Sequence, residues 1–332
     1  MSSVDISQVK ELVNNNGYPV MFQAYDSVER VYPQFCEVQD CPVDGSLYGD
    51  KGSVMTGLGE LRRRRDGEEA QADTFETAYT WFMAIHPYAR KLSLPRRMLA
   101  AADASGQVMG IVNKLSMEWG ERSATLKDQI VADVFQKGTL SAGDADVFDN
   151  SFPNNPANYR KFIYDGKPFF AASGNGHPLV GSTTTLINLT VSNPLTVDNI
   201  QTTVTTMRTT NAVNDRAEKV TISPNVIMVP PGLKYTLAKI LNSVQLPGTA
   251  QNDINPIAGE FSPVINRYLT DDSDAWWMGQ RGRGVLVRDS GVPKFKIYFD
   301  EPNDCMVVEP STYFGVTVTD FRYWYANNKA TS

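Results

Sequence analysis

The longest regular pattern of apolar and polar positions lies near the middle of the chain. Between Gln107 and Gln136 there is no proline, and apolar residues recur every three or four positions, as on one face of a helix. They are Val108, Ile111, Val112, Leu115, Trp119, Leu126, Ile130, Val134 and Phe135. About 30 residues at ~1.5 Å each predict a rod of about 45 Å. Gly138 is placed to end it, Gly110 and Gly120 weaken it from inside, and a sustained coiled-coil heptad is missing.

A second pattern, upstream of this helix, predicts a two-stranded ribbon. Residues 40–59 are rich in glycine and small polar residues, and Asp66-Gly67 is a strong turn signal. Residues 74–94 then favour extended structure, with Phe75, Tyr79, Trp81, Phe82 and Ile85 among the strand formers. An isolated two-stranded ribbon is at best marginally stable in water. We therefore expect another surface to hold the ribbon down, and we take it to be a neighbouring copy of the chain.

The residues before the ribbon show a less regular pattern. A short helix is expected from Asp5 to about Val13, ended by Asn14-Asn15-Asn16-Gly17. The stretch that follows is rich in Tyr, Phe and Val but contains Pro19 and Pro33, and it shows no buried face of its own. This pattern indicates an arm that needs another surface.

Beyond the long helix, residues 139–180 are rich in loop signals, and from Leu195 helices and strands alternate. A helix capped at Thr196 or Asp198 should run to about Thr210, with Ile200, Val204 and Met207 facing inward. The remaining predicted elements are a strand at Asn225–Val229, a helix opened by Pro230-Pro231-Gly232, and strands at Val285–Arg288, Phe295–Phe299, Met306–Val308, Tyr313–Val318 and Phe321–Tyr325. The fold class predicted is α+β.

Composition narrows the class of protein. The chain has 332 residues, 42% hydrophobic and 20% charged, enough for a core of about two domains. A formal net charge of -6 argues against tight wrapping of nucleic acid, which needs a basic face. No stretch approaches the ~18–20 consecutive apolar residues of a membrane span, and the polar N-terminus does not fit a secretory signal. These features predict synthesis in a reducing cytoplasm and no membrane partner.

The common catalytic and cofactor-binding motifs are missing from the sequence. Neither a phosphate-binding glycine loop nor a nucleophile elbow or zinc-protease helix occurs, and Gly279–Gly284 fits a surface loop better. Three cysteines without a CxxC pair and two histidines, His86 and His177, do not make a zinc site or a disulfide framework. The acids Asp271, Asp272 and Asp274 fit a solvated turn before the Trp276-Trp277 pair. We therefore predict no enzymatic activity, no cofactor and no metal.

The most concentrated charge is the run Arg62, Arg63, Arg64 and Arg65 near the expected ribbon tip, followed by Glu68 and Glu69. Guanidinium groups suit bidentate contacts with carboxylates at interfaces. We rank subunit-interface pairing first, a solvated ribbon second, and contact with nucleic-acid phosphates third, because the flanking acids would repel phosphate.

The order of these parts resembles the major capsid proteins of tailed double-stranded DNA bacteriophages, in particular the Mu-like major head subunits, which share the fold first seen in phage Hong Kong 97. The strings that carry the resemblance are Asp165-Gly166-Lys167-Pro168-Phe169-Phe170 before His177-Pro178, Pro224-Asn225-Val226-Ile227-Met228-Val229-Pro230-Pro231, Trp276-Trp277, Tyr313-Phe314-Gly315-Val316 and Phe321-Arg322-Tyr323-Trp324-Tyr325. Together they span nearly the whole chain.

The resemblance implies a Hong Kong 97-like fold with five parts. These are an N-terminal arm (1–39), an extended β-hairpin called the E-loop (40–94), a peripheral domain with a long spine helix (95–192, helix about 107–136), an axial α/β domain (193–284) and C-terminal strands shared by both domains (285–332). Some relatives carry a fused scaffolding segment, and others cross-link a ribbon lysine. The arm is short, and Lys51 is the only ribbon lysine before Lys91, so we expect neither here.

The function implied is that of a structural protein, a major capsid subunit that self-assembles into pentamers and hexamers of an icosahedral head. Implied partners are other copies of the chain, portal, scaffold and decoration proteins, and packaged double-stranded DNA bound without sequence specificity. The implied location is the virion, after assembly in the host cytoplasm. Three alternatives stay open: an encapsulin-like nanocompartment shell of the same fold, a phage tail or baseplate protein, and an enzyme with a β-rich ligand-binding domain.

Overall fold

The computed structural model describes residues 13–42, 49–57, 76–98, 108–140, 165–180, 182–245, 254–270 and 273–330, with residues 11, 46–47, 63–64, 66 and 69. The α-helices whose bounds lie in this part of the chain are α1 (Tyr18–Ser27), α2 (Val108–Gln136), α3 (Val197–Thr209) and α4 (Lys234–Asn242). Three short 3-10 turns lie at Tyr32–Gln34, Pro231–Leu233 and Phe321–Tyr323.

The strands form two larger sheets and two strand pairs. Their bounds are β1 (Glu37–Asp40), β2 (Gly49–Met55), β3 (Thr77–Ala84), β4 (His86–Ala89), β5 (Leu92–Pro95), β6 (His177–Pro178), β7 (Thr185–Leu186), β8 (Leu189–Thr190), β9 (Val226–Val229), β10 (Ser262–Ile265), β11 (Trp276–Gly279), β12 (Val285–Asp289), β13 (Lys294–Asp300), β14 (Cys305–Val318) and β15 (Trp324–Asn327). The five-stranded sheet has the order β10-β9-β11-β15-β8, and the six-stranded sheet joins β1, β12, β14 and β13 with β4 and β5.

The predicted long helix is present as α2, 29 residues within one position of the expected start. Its C-terminal half supplies Val131, Val134 and Phe135 to the main core, and Phe135 packs edge-on against Trp324 with ring centroids 4.9 Å apart. Its N-terminal half contributes Val112 to a smaller core against the six-stranded sheet. One helix therefore ties the two sheets together.

The five-stranded sheet is buried on both faces. The adjacent residues Trp276 and Trp277 point in opposite directions, as neighbours on a strand must. Trp276 packs among residues of α3 and α4, whereas Trp277 packs in the main core with Phe135. Burial on both faces explains why all four residues of β9 are apolar and buried. The inward positions expected for α3, at Ile200, Val204 and Met207, are confirmed.

The C-terminal strands depart from the sequence prediction at two points. A strand was expected at Phe321–Tyr325, but Phe321–Tyr323 is a 3-10 turn and β15 begins at Trp324. Two separate strands were expected at Met306–Val308 and Tyr313–Val318, but β14 is a single strand of 14 residues. The strand continues through Pro310, although proline cannot donate to a ladder. Pro310 faces the gap between β4 and β5, where neither strand pairs with it, and its carbonyl accepts a hydrogen bond from the Arg90 backbone N–H.

The N-terminal segment also differs from expectation. The Asn-rich stretch does not end a helix: it forms a π-helical turn, Val13–Gly17, that leads directly into α1. The prediction that the following residues bury no face of their own is wrong, since Met21, Tyr25, Tyr32 and Phe35 are all buried. Helix α1 lies against α2, so periodicity within the short segment could not reveal its partner. The expected helix before Val13 lies outside the described residues, apart from Glu11.

The ribbon is confirmed as an antiparallel pair of β2 and β3, but it is shorter at its base than expected. Strands β4 and β5 pair with β14 in the six-stranded sheet, so the paired ribbon ends at Ala84 rather than near Leu94. Its described base rests on the same chain, with Met83 fully buried. The expectation that only a neighbouring copy could hold it down is therefore wrong for this part.

Two glycines inside α2 give a matched test of this packing. A Cβ at Gly120 would lie 2.4 Å from the Met21 carbonyl oxygen, whereas a Cβ at Gly110 would meet nothing within 4 Å. Gly110→Ala should stabilise the protein by about 0.5–1 kcal/mol through helix propensity. Gly120→Ala should destabilise it by about 1–3 kcal/mol, because α1 must move. Urea unfolding of both variants checks this, and equal stabilisation would contradict the close helix contact.

Candidate functional site: ribbon, buried clamp and exposed edges

The ribbon has one face toward the body of its own chain and one toward solvent. On the inner face, the Tyr79 hydroxyl donates to the Pro178 carbonyl oxygen at 2.8 Å. Near the base, both Nε and Nη2 of Arg288 donate to Oδ2 of Asp50, at 3.0 and 2.7 Å. These contacts fix the direction in which the ribbon leaves the body.

The outer ribbon face is polar except for Met55 and Phe82. Lys51, Ser53, Thr80 and Phe82 lie on it, all exposed, and Phe82 keeps 46% of its surface accessible. The ring of Phe82 lies over Gly49, where a Cβ would come within 2.6 Å of it. Exposed apolar area is therefore present among the polar side chains of this face.

The predicted interface residues are only partly within the described structure. Arg63, Arg64 and Glu69 are described and exposed, and among described residues neither arginine forms an ion pair. The other three predicted residues, Arg62, Arg65 and Glu68, lie outside the described residues. The interface role of all six stays a prediction.

Sequence reasoning missed a buried polar cluster that clamps the N-terminal segment to α2. Lys127 and Asp128 fall outside the apolar stripe of the predicted helix, which predicts that they lie on its polar surface, but they are 0% and 1% exposed. The Lys127 ammonium lies 2.5 Å from Oδ1 of Asp289 and 2.9 Å from the Tyr25 hydroxyl oxygen. The Tyr32 hydroxyl donates to Oδ2 of the same carboxylate. The prediction failed because α2 is covered on more than one side, and the covering carboxylate lies far away in sequence.

Asp128 completes the clamp from the next position of α2. Its carboxylate accepts hydrogen bonds from the backbone N–H groups of Val31 and Tyr32, at 2.9 and 3.0 Å. Burial raises the pKa of Asp128 above its ordinary value, and these two hydrogen bonds oppose the rise. The clamp therefore holds both the side chains and the backbone of the N-terminal segment.

Burial dominates the titration of the other clamp residues. It raises the pKa of both Tyr25 and Tyr32 well above the ordinary tyrosine value, and the negative charge of Asp289 raises them further. Burial lowers the pKa of Lys127, an effect that Asp289 opposes. The clamp thus favours neutral phenols around one ammonium–carboxylate pair.

These directions predict a loss of stability in alkali. Unfolded tyrosine ionises near pH ~10, while the folded pKa values of Tyr25 and Tyr32 lie higher, so their contribution is complete below pH ~10 and declines above it. The lowered pKa of Lys127 has the opposite effect on stability, because it makes stability rise with pH. That effect ends near pH ~10.4, where lysine in the unfolded chain loses its proton. Stability should therefore fall between pH ~10 and ~12. Tyr32→Phe should flatten that fall in urea unfolding, while the exposed control Tyr235→Phe should not; equal slopes in both would contradict the assignment.

A second polar cluster lies beneath the ribbon. Nδ1 of His177 is 2.5 Å from Oδ2 of Asp165, and the imidazole stacks on Phe321 with centroids 3.6 Å apart. The Arg322 guanidinium pairs with Asp215 at 2.9 Å. The imidazole ring of His177 is buried and paired, which the sequence around it does not indicate. The stacking and burial of His177 fit a structural role. The next residue, Pro178, accepts the hydrogen bond from the Tyr79 hydroxyl.

Large exposed apolar side chains mark another surface, at the end of α4. Val244 and Ile254 keep 77% and 80% of their surfaces accessible. Ile254 forms an isolated antiparallel bridge with Gln245, the residue after Val244. Exposed apolar groups held by a bridge are typical of surfaces that contact another protein.

The described residues contain no group of three or more histidine, cysteine or acidic side chains arranged to hold a metal ion. Among those residues, too, no helix is both long and apolar enough to cross a membrane.

A spine helix between two sheets, with a projecting ribbon and separate exposed surfaces, defines the class of Hong Kong 97-type capsid subunits. The family model described as phage capsid protein matches residues 83–327, most of the chain. The protein therefore belongs to the phage capsid protein family, and it is a structural capsid subunit, as the sequence predicted.

Solved structures support the fold. The chain matches a subunit from the capsid of Ralstonia phage GP4 at TM-score 0.51 and 13% identity, covering 92% of each chain. It matches a subunit from Gordonia phage Cozz at TM-score 0.50 and 12% identity, covering 92% of this chain and 88% of that one. A virus-like particle from Pyrococcus furiosus matches at TM-score 0.46 and 8% identity, covering 94% and 98%. Comparison with curated protein sequences gave no match. Membership of the Mu-like subfamily stays a prediction.

Proposed function

We propose that copies of this chain assemble into hexamers and pentamers that close into an icosahedral phage head around double-stranded DNA. The observation that carries the proposal is the family match over residues 83–327. Contacts that repeat by rotation make closed rings, and rings joined by further contacts make a shell. Each contact can be weak, because many act together.

Two surfaces are proposed for these contacts. The exposed apolar pair Val244 and Ile254 would contact the next copy within a ring, where burying apolar surface stabilises association. The ribbon tip with Arg62–Arg65, and with Glu68 and Glu69 on its flank, would bind a neighbouring copy. The domain bounds implied by the resemblance are kept for this proposal, with the ribbon as the E-loop and α2 as the spine helix.

The proposal extends to partners and location. Portal, scaffold and decoration proteins would complete the head, which would assemble in the host cytoplasm and persist in the virion. The net charge of -6 supports packaging of DNA without strong binding to it.

Electron microscopy of the purified chain tests the proposal. We expect closed particles of uniform size. Rods or open rings would favour a tail or baseplate protein instead. Particles purified from infected cells should contain DNA, and particles filled with a cargo enzyme would favour the nanocompartment alternative.

The arginine run gives a prediction about salt. Replacing Arg62–Arg65 with alanine should reduce the yield of closed shells, because it removes four charges from the proposed contact. The remaining assembly should depend less on salt concentration, since fewer ion pairs are screened. Light scattering of assembly across a salt series measures both effects. Unchanged yield and salt dependence would favour a solvated ribbon.

A further inference from the structure

One edge of the six-stranded sheet is open beside a charged cleft. Strand β1 pairs with β12 along Glu37–Asp40, and within the described ranges no strand pairs with its other edge. An unpaired strand edge is a ready binding surface for another segment of chain. A cleft of about 520 Å³ adjoins it, called here the β1 cleft, lined by Asp26, Val28, Glu29, Arg30, Tyr32, Pro33, Val38, Asp40, Asp289 and Gly291.

Two carboxylates at the β1 cleft have no ion-pair partner among the described residues of the same chain. Asp289 is paired with the buried Lys127, and Asp26 with Arg30 at 3.2 Å. Glu29 and Asp40 remain as exposed carboxylates outside any described ion pair. The guanidinium groups of Arg267 and Arg288 donate to the backbone oxygens of Glu29 and Asp40, and they offset part of the negative charge. The cleft therefore offers two exposed carboxylates that a further cation could pair.

The lining fits long cationic side chains better than a metal ion. Val28, Pro33 and Val38 provide apolar wall between the acids, and Val38 is exposed. Arginine can lay its aliphatic stem on such a wall while its guanidinium binds a carboxylate in a planar pair. A divalent cation would need several carboxylates at one point, which the described residues do not bring together here.

We propose that the β1 cleft binds the Arg62–Arg65 run of a neighbouring copy. The inference rests on the proposed function and names the surface that the ribbon tip would meet. Glu29 and Asp40 would pair with the arginines, and the open edge of β1 would lie along the incoming chain.

The geometry of the ribbon directs the run to another copy rather than to its own cleft. The ribbon base lies close to the β1 cleft, since Asp50 pairs with Arg288, the residue next to Asp289. The paired strands then lead away: about seven residues at ~3.3 Å each carry the chain about 23 Å by Gly57. A Cβ at Gly57 would meet the side chain of Asn214, on a different part of the body. The arginine run follows beyond this point.

A charge-exchange experiment on the full chain tests the proposal. The first variant carries Arg63→Glu and Arg64→Glu, and the second carries Glu29→Lys and Asp40→Lys. The third combines all four changes and has the net charge of the wild type. A matched control carries Asp274→Lys and Glu301→Lys, two exposed acids away from the cleft. Electron microscopy and sedimentation velocity give the yield of closed shells, and urea unfolding verifies that each variant folds.

Each reversal alone should lower the yield of closed shells by about tenfold or more, because like charges would face each other. The combined variant should recover at least roughly half of the wild-type yield, and the control should assemble normally. The milder variant Glu29→Gln/Asp40→Asn should show a smaller loss, which keeps the test valid if the lysine variant does not fold.

Normal assembly of the cleft variants, no recovery in the combined variant, or equal failure of the control would each overturn this inference alone. A wild-type chain that forms no multisubunit particle would overturn the proposed function and this inference together.

Discussion

Deleting residues 58–75 should leave a folded subunit that builds no closed shells. The deletion can be designed closely, because the described ribbon closes just below it: the Thr56 N–H donates to the Glu76 carbonyl oxygen at 2.9 Å, and the Glu76 N–H donates to the Thr56 hydroxyl at 3.1 Å. Joining Gly57 to Glu76 through Asp-Gly would make a three-residue hairpin loop, Gly57-Asp-Gly, between the paired residues Thr56 and Glu76. The inner ribbon face and its contacts would remain.

The expected result follows from where the ribbon is anchored. Its base contacts the same chain through Tyr79 and Asp50, so the thermal midpoint should change by only a few degrees, about 1 kcal/mol or less. Assembly should be lost, because the tip is the proposed contact with a neighbour. Size-exclusion chromatography and electron microscopy measure the outcome. A glycine–serine segment of equal length, as a control, should also fail; closed shells of normal size from either variant would contradict the role of the tip.

Removing one partner of the buried Lys127–Asp289 pair should cost about 3–5 kcal/mol of folding free energy, because the remaining charge stays buried without its counterion. Asp289→Ala and Lys127→Met each test this. The double variant Lys127→Met/Asp289→Leu should be destabilised much less than either single one, because replacing a whole buried pair with apolar side chains is often neutral.

Unfolding should be measured in the ribbon-deleted chain, so that assembly does not add to the apparent stability. The surface pair Arg208–Glu260 provides a control: Glu260→Ala should cost less than about 1 kcal/mol, since both partners are partly exposed. A cost as small as this for Asp289→Ala would show that the clamp does not hold the N-terminal segment.

The parts of the fold that sequence predicted are those with a strong local pattern. Helix α2 repeats apolar residues over eight turns, and α3 carries both a cap at Thr196 and an inward stripe. Local periodicity could not show which segments lie on each other. Lys127 seemed a surface residue because its partner, Asp289, is 162 residues away and reaches it only in the folded chain.

The sequence pattern predicts the strands of the ribbon but not the contacts that support them. Low apolar content indicated a two-stranded ribbon, which β2 and β3 form. It did not reveal that a few specific contacts, such as that of Tyr79, hold the base to the same chain. The arginine run is visible in sequence, but the acids proposed to receive it come from separate segments, so only the structure places Glu29 and Asp40 on one cleft.

A cryo-electron microscopy map of shells assembled from the wild-type chain would test the central claim most directly. We predict that residues 58–75 of each copy lie on an adjacent copy, with density joining the arginine run to the β1 cleft. A map in which these residues fold back on the copy that carries them, with the subunits held together elsewhere, would contradict it.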